Sequence, residues 1–194
     1  ASDVYKRQGR FQLCRNASRL GSTRWGGYAE QVVAPASTAI PLPSGVSLEE
    51  AAALPVNYST AWRALVTDAA VGPGMWVLVV GGSSGVGVAA TQIARLSGAS
   101  VISVVGDNWK EEKAYKAGAD FVVNRKKKDV VEEVLKTTGG EGVDVVLEMA
   151  GTPFWEKALQ CLAPGGTLVV VGATAGDQVS FNVRPFFRKY QRII

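Results

Sequence analysis

The chain has 194 residues, of which 47% are hydrophobic, and a formal net charge of +4. This length allows one full domain and part of a second, and no apolar run is long enough to be a membrane span. Cys14 and Cys161 do not suggest a disulfide framework, and the first residues do not show the charged-then-apolar pattern of a secretory leader with a small-residue cleavage site. We therefore expect a protein of a reducing compartment, in the cytoplasm and not in a membrane.

The composition also limits the chemistry. There is no histidine, which removes the commonest general base and the commonest zinc ligand. Basic residues cluster at 125–128 and near the C-terminus. No aromatic platform or nucleic-acid motif accompanies them. We therefore expect solvated loops or contacts to a cofactor phosphate, and no nucleic acid as a partner.

The first part of the chain carries few structural signals. Residues 1–25 show no sustained period and stay unassigned, and Ala1–Gln8 resembles translated sequencing-adapter DNA, so we interpret them as foreign. Residues 28–33 are predicted as a strand. Ser47 and Glu50 have the spacing of a capping box, which predicts a helix start. That helix should end at Pro55, because proline removes a backbone donor, and a second helix is expected over 59–66.

From residue 76 strands and helices alternate with short connections. This pattern predicts an α/β fold with a doubly wound parallel sheet of the Rossmann type. The predicted strands are 76–80, 101–105, 121–124, 143–149 and 167–171. The predicted helices are 85–96, 110–116, 129–137 and 154–162.

The most informative stretch joins the first of these strands to the first of these helices. It contains Gly82, Ser83, Ser84, Gly85, Val86 and Gly87. A glycine-rich turn between a strand and a helix places a pyrophosphate at the helix N-terminus, where backbone amides are unpaired. In the dinucleotide fingerprint, Gly82 makes the tight turn and Gly87 lets the helix pack closely. Ser84 replaces a glycine and should hold the phosphate farther away or donate a hydrogen bond. The alternative is a turn that binds nothing.

Residues 26 to about 190 resemble the medium-chain dehydrogenase/reductase family, and within it the zinc-free quinone oxidoreductase-like branch. The resemblance rests on motifs that occur in order and with natural spacing: 27–30 (GYAE), 43–55 (PSGVSLEEAAALP), 60–62 (TAW), the glycine turn, 116–120 (KAGAD) and 162–166 (LAPGG).

The resemblance implies a dinucleotide-binding domain at 47–181 and a GroES-like, β-rich catalytic domain. It assigns 26–46 to a remnant of that catalytic domain and 182–194 to a truncated return toward it. The native protein is then expected to be a homodimer acting on a small-molecule substrate, and this chain alone should catalyse little.

The resemblance also implies site residues. Val56 stands where zinc-dependent members have a cysteine ligand, and an aliphatic side chain cannot bind a metal, so no metal is expected. Thr60 and Gly172 match positions at the nicotinamide end, where Asn57 and Tyr58 are weak catalytic candidates. The alternative to a catalytic role for these two residues is that they pack against a helix and are buried with their hydrogen bonds satisfied.

Cofactor choice depends on the ends of the second and third strands. An acidic residue that would select NAD is missing at Val105, and Gly106 follows it. The resemblance places Lys110 and Arg125 near a 2′-phosphate, and two cations near a dianion favour NADP. Against this, Asp107 could bend back to the ribose, so NAD stays an alternative cofactor.

The leading hypothesis is an NADPH-dependent oxidoreductase that reduces quinones or other α,β-unsaturated carbonyls by hydride transfer, since the cofactor carries the chemistry. A 2-enoyl thioester reductase of the same fold is one alternative. The other is a non-catalytic dinucleotide-binding module.

Overall fold

The computed structural model describes residues 13–194. Residues 1–12, which belong to the segment interpreted as foreign, lie outside the described residues. The chain divides into two units at Val46 and Ser47. Within 13–46 there is an isolated bridge between Leu20 and Arg24 and a 3₁₀ turn at Ala36–Thr38.

The strand predicted over 28–33 does not form. These residues pair with no strand in the described part of the chain, and Tyr28 and Val33 are largely exposed. Alternation alone cannot make a strand, because the backbone groups need a neighbouring strand to hydrogen-bond. The assignment of 26–46 to a remnant of a catalytic domain stays a prediction.

The second unit begins with helix α1, Leu48–Trp62. The predicted capping box is present, with the Glu50 amide donating to Ser47 Oγ at 3.2 Å and the Ser47 amide donating to Glu50 Oε2 at 3.0 Å. The break predicted at Pro55 is wrong, because α1 runs through it and continues into a π-helical segment, Arg63–Asp68. Burial of Ala61 and Leu65 in the core anchors this end of the helix, which outweighs the single hydrogen bond that proline removes.

The remaining elements alternate as predicted. The strands are β1 (Trp76–Val80), β2 (Ser100–Val105), β3 (Phe121–Asn124), β4 (Val143–Glu148), β5 (Leu162–Val170) and β6 (Arg192–Ile193). The helices are α2 (Gly85–Leu96), α3 (Asn108–Lys116), α4 (Val130–Thr137), α5 (Trp155–Cys161) and α6 (Val183–Arg188). All six strands run parallel in the order β3-β2-β1-β4-β5-β6, which confirms the doubly wound sheet.

The core lies on both faces of this sheet. Val77 and Val79 of β1 contact residues of α1 and α2, whereas Leu78 and Val80 belong to a second cluster with residues of α4 and α5. Continuous apolar strands such as β1 are typical of parallel sheets, which are covered on both faces. The chain moves outward from β1 to β3 and then returns to β4 beside β1. The carboxyl ends of β1 and β4 therefore meet at the switch point where such sheets bind ligands.

The C-terminal segment lies at one edge of the sheet, where α6 and β6 belong to the second unit and β6 pairs with β5. The assignment of 182–194 to a truncated return toward a catalytic domain stays a prediction. The short β6 contributes register partners Arg192 and Ile193 to Thr167 and Leu168. Two residues are too few to show strand periodicity, so the pattern did not reveal this strand.

Candidate functional site

The glycine turn after β1 has the geometry of a phosphate cradle, but Gly81 and not Gly82 makes its tight turn. Gly81 has φ +77°, so it makes the tight turn that the fingerprint assigned to Gly82. Gly82 instead lies close to Ser103 of β2, since a Cβ on Gly82 would be 2.7 Å from the Ser103 Cβ. A Cβ on Gly87 would be 2.8 Å from the Gly82 Cα. Gly87 therefore allows α2 to pack against the turn, as predicted.

Ser84 is the N-cap of α2. Its Oγ accepts a hydrogen bond from the Gly87 amide at 3.0 Å, so the hydroxyl already satisfies one helix amide. The same hydroxyl donates to Met149 Sδ at 3.4 Å. The amides of Ser83, Gly85 and Val86 have no protein acceptor within residues 13–194. Three backbone donors at the positive end of a helix form a suitable site for an anion.

A cleft of about 610 Å³ opens beside this turn, above the carboxyl ends of β1, β2 and β4. Three cationic residues, Lys110, Arg125 and Lys126, line it together with one carboxylate, Asp107. The Asp107 carboxylate pairs with Lys126 and lies 3.7 Å from Lys110 Nζ. The hydrogen bond from Lys126 lowers the pKa of Asp107, so this carboxylate stays ionised at neutral pH.

Arg125 is arranged differently from the two lysines. Its guanidinium forms no ion pair or side-chain hydrogen bond with any described residue. It lies against Gly106, where a Cβ would be 3.3 Å from its Nη2. The cleft therefore has a formal excess of two positive charges, three cations against one carboxylate, and one guanidinium is available for a ligand. A planar guanidinium suits a phosphate group, which it can contact with two donors.

The far wall of the cleft is the loop after β4, which Glu148 holds in place. Glu148 is fully buried, and its two carboxylate oxygens accept from the amides of Ala150 at 2.8 Å and Gly151 at 2.9 Å. Burial raises the pKa of Glu148 despite these bonds. Thr174 donates to the Met149 carbonyl, so the loop after β5 is tied to the same wall.

None of the residues predicted for the nicotinamide end lines this cleft. Thr60 lines a separate concavity of about 360 Å³ with residues 169–171, and Gly172 follows directly at the end of this segment. The Asn57 side chain donates to the Ala53 carbonyl at 2.8 Å and lies against Gly85. The Tyr58 hydroxyl bonds to Gln92, and its ring packs on the core. These contacts favour the packing alternative for Tyr58.

The structure thus brings five predicted residues together in the larger cleft: Ser83, Ser84, Gly106, Lys110 and Arg125. Sequence reasoning did not assign Trp109, Met149, Phe154 or Thr174 to a site, and it treated Lys126 only as part of the basic cluster 125–128, although all of them line the cleft. Their positions within a few residues of the ends of β2, β3, β4 and β5 were the available signal, since ligands bind beyond the carboxyl ends of strands.

Within residues 13–194, no three side chains of the metal-binding types His, Cys, Asp and Glu come together as a cluster that could hold a metal ion. None of the described helices has both the length and the apolar character needed to cross a bilayer.

Comparison with known proteins adds the context of a family. A family model described as "Zinc-binding dehydrogenase" matches residues 85–194. The chain is 35% identical to the quinone oxidoreductase of Homo sapiens over 173 residues, which are 89% of this chain and 52% of that protein. The chain therefore spans about half the length of the curated relatives that it matches.

Solved structures show the same likeness. A structure of an NAD-dependent alcohol dehydrogenase superimposes with a TM-score of 0.94 at 38% identity, covering 99% of this chain and 56% of that one. The Escherichia coli quinone oxidoreductase in complex with NADPH superimposes with a TM-score of 0.72 at 33% identity, covering 79% and 47%. The first of these two proteins is NAD-dependent, and the second is in complex with NADPH.

Proposed function

Because this chain belongs to the medium-chain dehydrogenase/reductase family, in its quinone oxidoreductase-like branch, we propose that it is the cofactor-binding part of an NADPH-dependent oxidoreductase. The complete protein reduces quinones or other α,β-unsaturated carbonyls by hydride transfer, without zinc. The proposal includes a homodimer in the cytoplasm, which rests on the family resemblance and on the cysteine usage.

The observation that carries the choice of NADPH is the unpaired Arg125 beside Lys110 and Lys126. A 2′-phosphate brings two negative charges, which match the formal excess of positive charge in the cleft. Asp107 does not oppose this, because Lys126 and Lys110 neutralise it. The buried Val105 at the end of β2 offers no carboxylate to the ribose.

The glycine turn fits the pyrophosphate of the same cofactor. The three unpaired amides of Ser83, Gly85 and Val86 supply donors. Side chains at Gly82 and Gly87 would collide with the neighbouring backbone or with Ser103, so the tight packing of this turn depends on glycine. Ser84 contributes by capping the helix, which holds the turn in place with or without a ligand.

The chemistry then divides between cofactor and protein. When bound, NADPH supplies the hydride at its nicotinamide. The residues of this chain orient it: the cations hold the adenosine end and the amides hold the pyrophosphate. Thr60 and Gly172 are proposed to lie near the nicotinamide end. Orientation of this kind accounts for much of the rate when the acceptor is electron-poor and needs no metal.

Independence from zinc is supported by the donor atoms available. The chain has no histidine, and Val56 carries no atom that can bind a metal.

Binding by the 194-residue chain tests the cofactor choice. We expect tighter binding of NADPH than of NADH in titration calorimetry, and Arg125→Ala should weaken NADPH binding by about tenfold, since a charge-assisted contact is lost. NADH binding should change little. Arg184→Ala is the matched control, because Arg184 is an exposed cation on α6 that does not line the cleft. Equal loss for both cofactors in Arg125→Ala would contradict the proposal.

Turnover tests the reaction class. In the complete protein, NADPH consumption should follow addition of a simple quinone, and an enoyl thioester should compete poorly. Efficient reduction of the thioester would favour the enoyl reductase alternative. Oxidation of an alcohol with NAD and no reduction of quinone would refute the assignment. Binding of NADPH with no turnover would favour the non-catalytic module.

A further inference from the structure

Asn124 connects two loops of the cofactor cleft through partly buried hydrogen bonds. It is the last residue of β3 and only 4% exposed. Its Nδ2 donates to Asn108 Oδ1 at 3.1 Å and to Glu111 Oε1 at 2.7 Å, both at the start of α3. Its Oδ1 accepts from the Lys126 amide at 3.1 Å. The amide group therefore bonds in both directions, to the loop after β2 and to the loop after β3.

These two loops carry the three cations of the cleft. Lys110 lies in the first turn of α3, between the two residues that Asn124 holds. Arg125 and Lys126 follow Asn124 directly in the second loop. The relative position of Lys110 and the other two cations thus depends on how the loops are joined.

Among the described residues, two solvent-accessible ion pairs also join these loops. Lys127 pairs with Glu111, and their side chains are 52% and 33% exposed. The ion pair of Lys126 with Asp107 joins side chains that are 61% and 37% exposed. Exposed ion pairs contribute little and exchange readily with solvent or a ligand. A phosphate that attracts Lys126 would open this pair. The hydrogen bonds of Asn124 are partly buried and should remain, since Asn124 itself does not line the cleft.

We propose that Asn124 is a positioning residue for cofactor choice, which holds Lys110 and the Arg125–Lys126 pair at the separation that a 2′-phosphate requires. The inference rests on the proposed use of NADPH. Asn124 itself does not line the cleft, so it acts through the loops and not by contact.

Two variants at Glu111 separate the effect of losing the hydrogen bond from Asn124 from the effect of losing the negative charge of Glu111. Glu111→Gln and Glu111→Ala both remove the negative charge and the pairing with Lys127. Only Glu111→Gln keeps an oxygen that accepts from Asn124. The probes are 2′,5′-ADP and 5′-AMP, which differ by the 2′-phosphate, and the assay is titration calorimetry on the 194-residue chain.

The two variants should change the affinity for 2′,5′-ADP in opposite directions. Glu111→Gln should bind about twofold more tightly than the wild type, because a carboxylate near the cations is removed. Glu111→Ala should bind about fivefold to tenfold more weakly than Glu111→Gln, a range typical of one broken interaction in a coupled set. The affinity for 5′-AMP should be the same in both. Equal binding of 2′,5′-ADP by the two variants would overturn the proposal.

A second comparison removes the amide itself. Asn124→Ala should lower the preference for 2′,5′-ADP over 5′-AMP by about tenfold. The control is Thr138→Val, because Thr138 joins α4 to Gly142 through its hydroxyl at the opposite end of the sheet. It should lower the melting temperature without changing the preference. Loss of affinity for both probes alike in Asn124→Ala would contradict a role in selectivity.

The outcomes separate the two proposals. If the wild-type chain binds 2′,5′-ADP no better than 5′-AMP, the assignment of NADPH fails and this inference fails with it. If the wild type prefers 2′,5′-ADP and the Asn124 and Glu111 variants keep that preference, only the inference about Asn124 fails.

Discussion

The close approach of Gly82 to Ser103 gives a quantitative prediction about the glycine turn. A Cβ added to Gly82 would lie 2.7 Å from the Ser103 Cβ. Carbon atoms in good contact are about 3.5 Å apart, so the overlap is about 0.8 Å. Ser103 is fully buried in the central β2 strand and cannot move aside. We expect Gly82→Ala to lower the free energy of unfolding by about 2–3 kcal/mol, as overpacking does in a rigid core.

Removing the obstructing side chain should rescue this variant. Without it, the nearest Ser103 atom is its Cα, 3.5 Å from the new Cβ, which is an ordinary contact. Ser103→Gly alone should lower the free energy of unfolding by about 1–2 kcal/mol, because glycine is unfavourable in a strand and because the contact with Thr91 is lost. The double variant should then also lose about 1–2 kcal/mol, so the coupling energy is about −2 to −3 kcal/mol.

Urea denaturation followed by circular dichroism measures all three variants. Gly72→Ala is the control, since a Cβ there would meet nothing within 4 Å, and its change should stay within about 0.5 kcal/mol. If the losses of Gly82→Ala and Ser103→Gly add in the double variant, the steric explanation of Gly82 is refuted.

Three further predictions concern single side chains. Ser84→Ala should lower stability by about 1 kcal/mol in the same denaturation assay, because the Gly87 amide loses its cap; no change would contradict the capping role. Burial raises the pKa of Glu148 above 4.5, so the folded state binds this proton more tightly than the unfolded chain. The stability of the wild type relative to Glu148→Gln should therefore rise as the pH falls from neutral toward 4.5, and a difference that does not vary with pH would contradict this. Burial also raises the pKa of Cys161 to about 12, so in a Cys14→Ser background labelling by a thiol reagent at pH 8 should occur only at the rate of unfolding.

The parts of the fold that the sequence predicted are those encoded locally. The apolar run at 76–80 and the helical period of 85–96 gave the elements and their bounds. The capping box at Ser47 worked for the same reason, since both of its partners are three residues apart. Regular alternation then implied a parallel doubly wound sheet.

The errors came from interactions that local sequence does not contain. Pro55 lies inside a helix because the core holds the helix beyond it. Residues 28–33 have the composition of a strand but no partner to pair with. Gly81 and Gly82 are adjacent glycines, and only the approach of Ser103 from β2 shows which one makes the turn and which one provides space.

For the candidate site, local sequence predicted the groups available for binding: a glycine turn, a set of cations after the strands and no histidine. Which of these groups lie together depends on tertiary contacts. Whether each cation is paired depends on how the loops after β2 and β3 meet, and Asn124 at the end of β3 joins those loops. Hydrogen bonds between residues far apart in the chain leave no periodic signal, so their partners become visible only when the sheet brings the strand ends together.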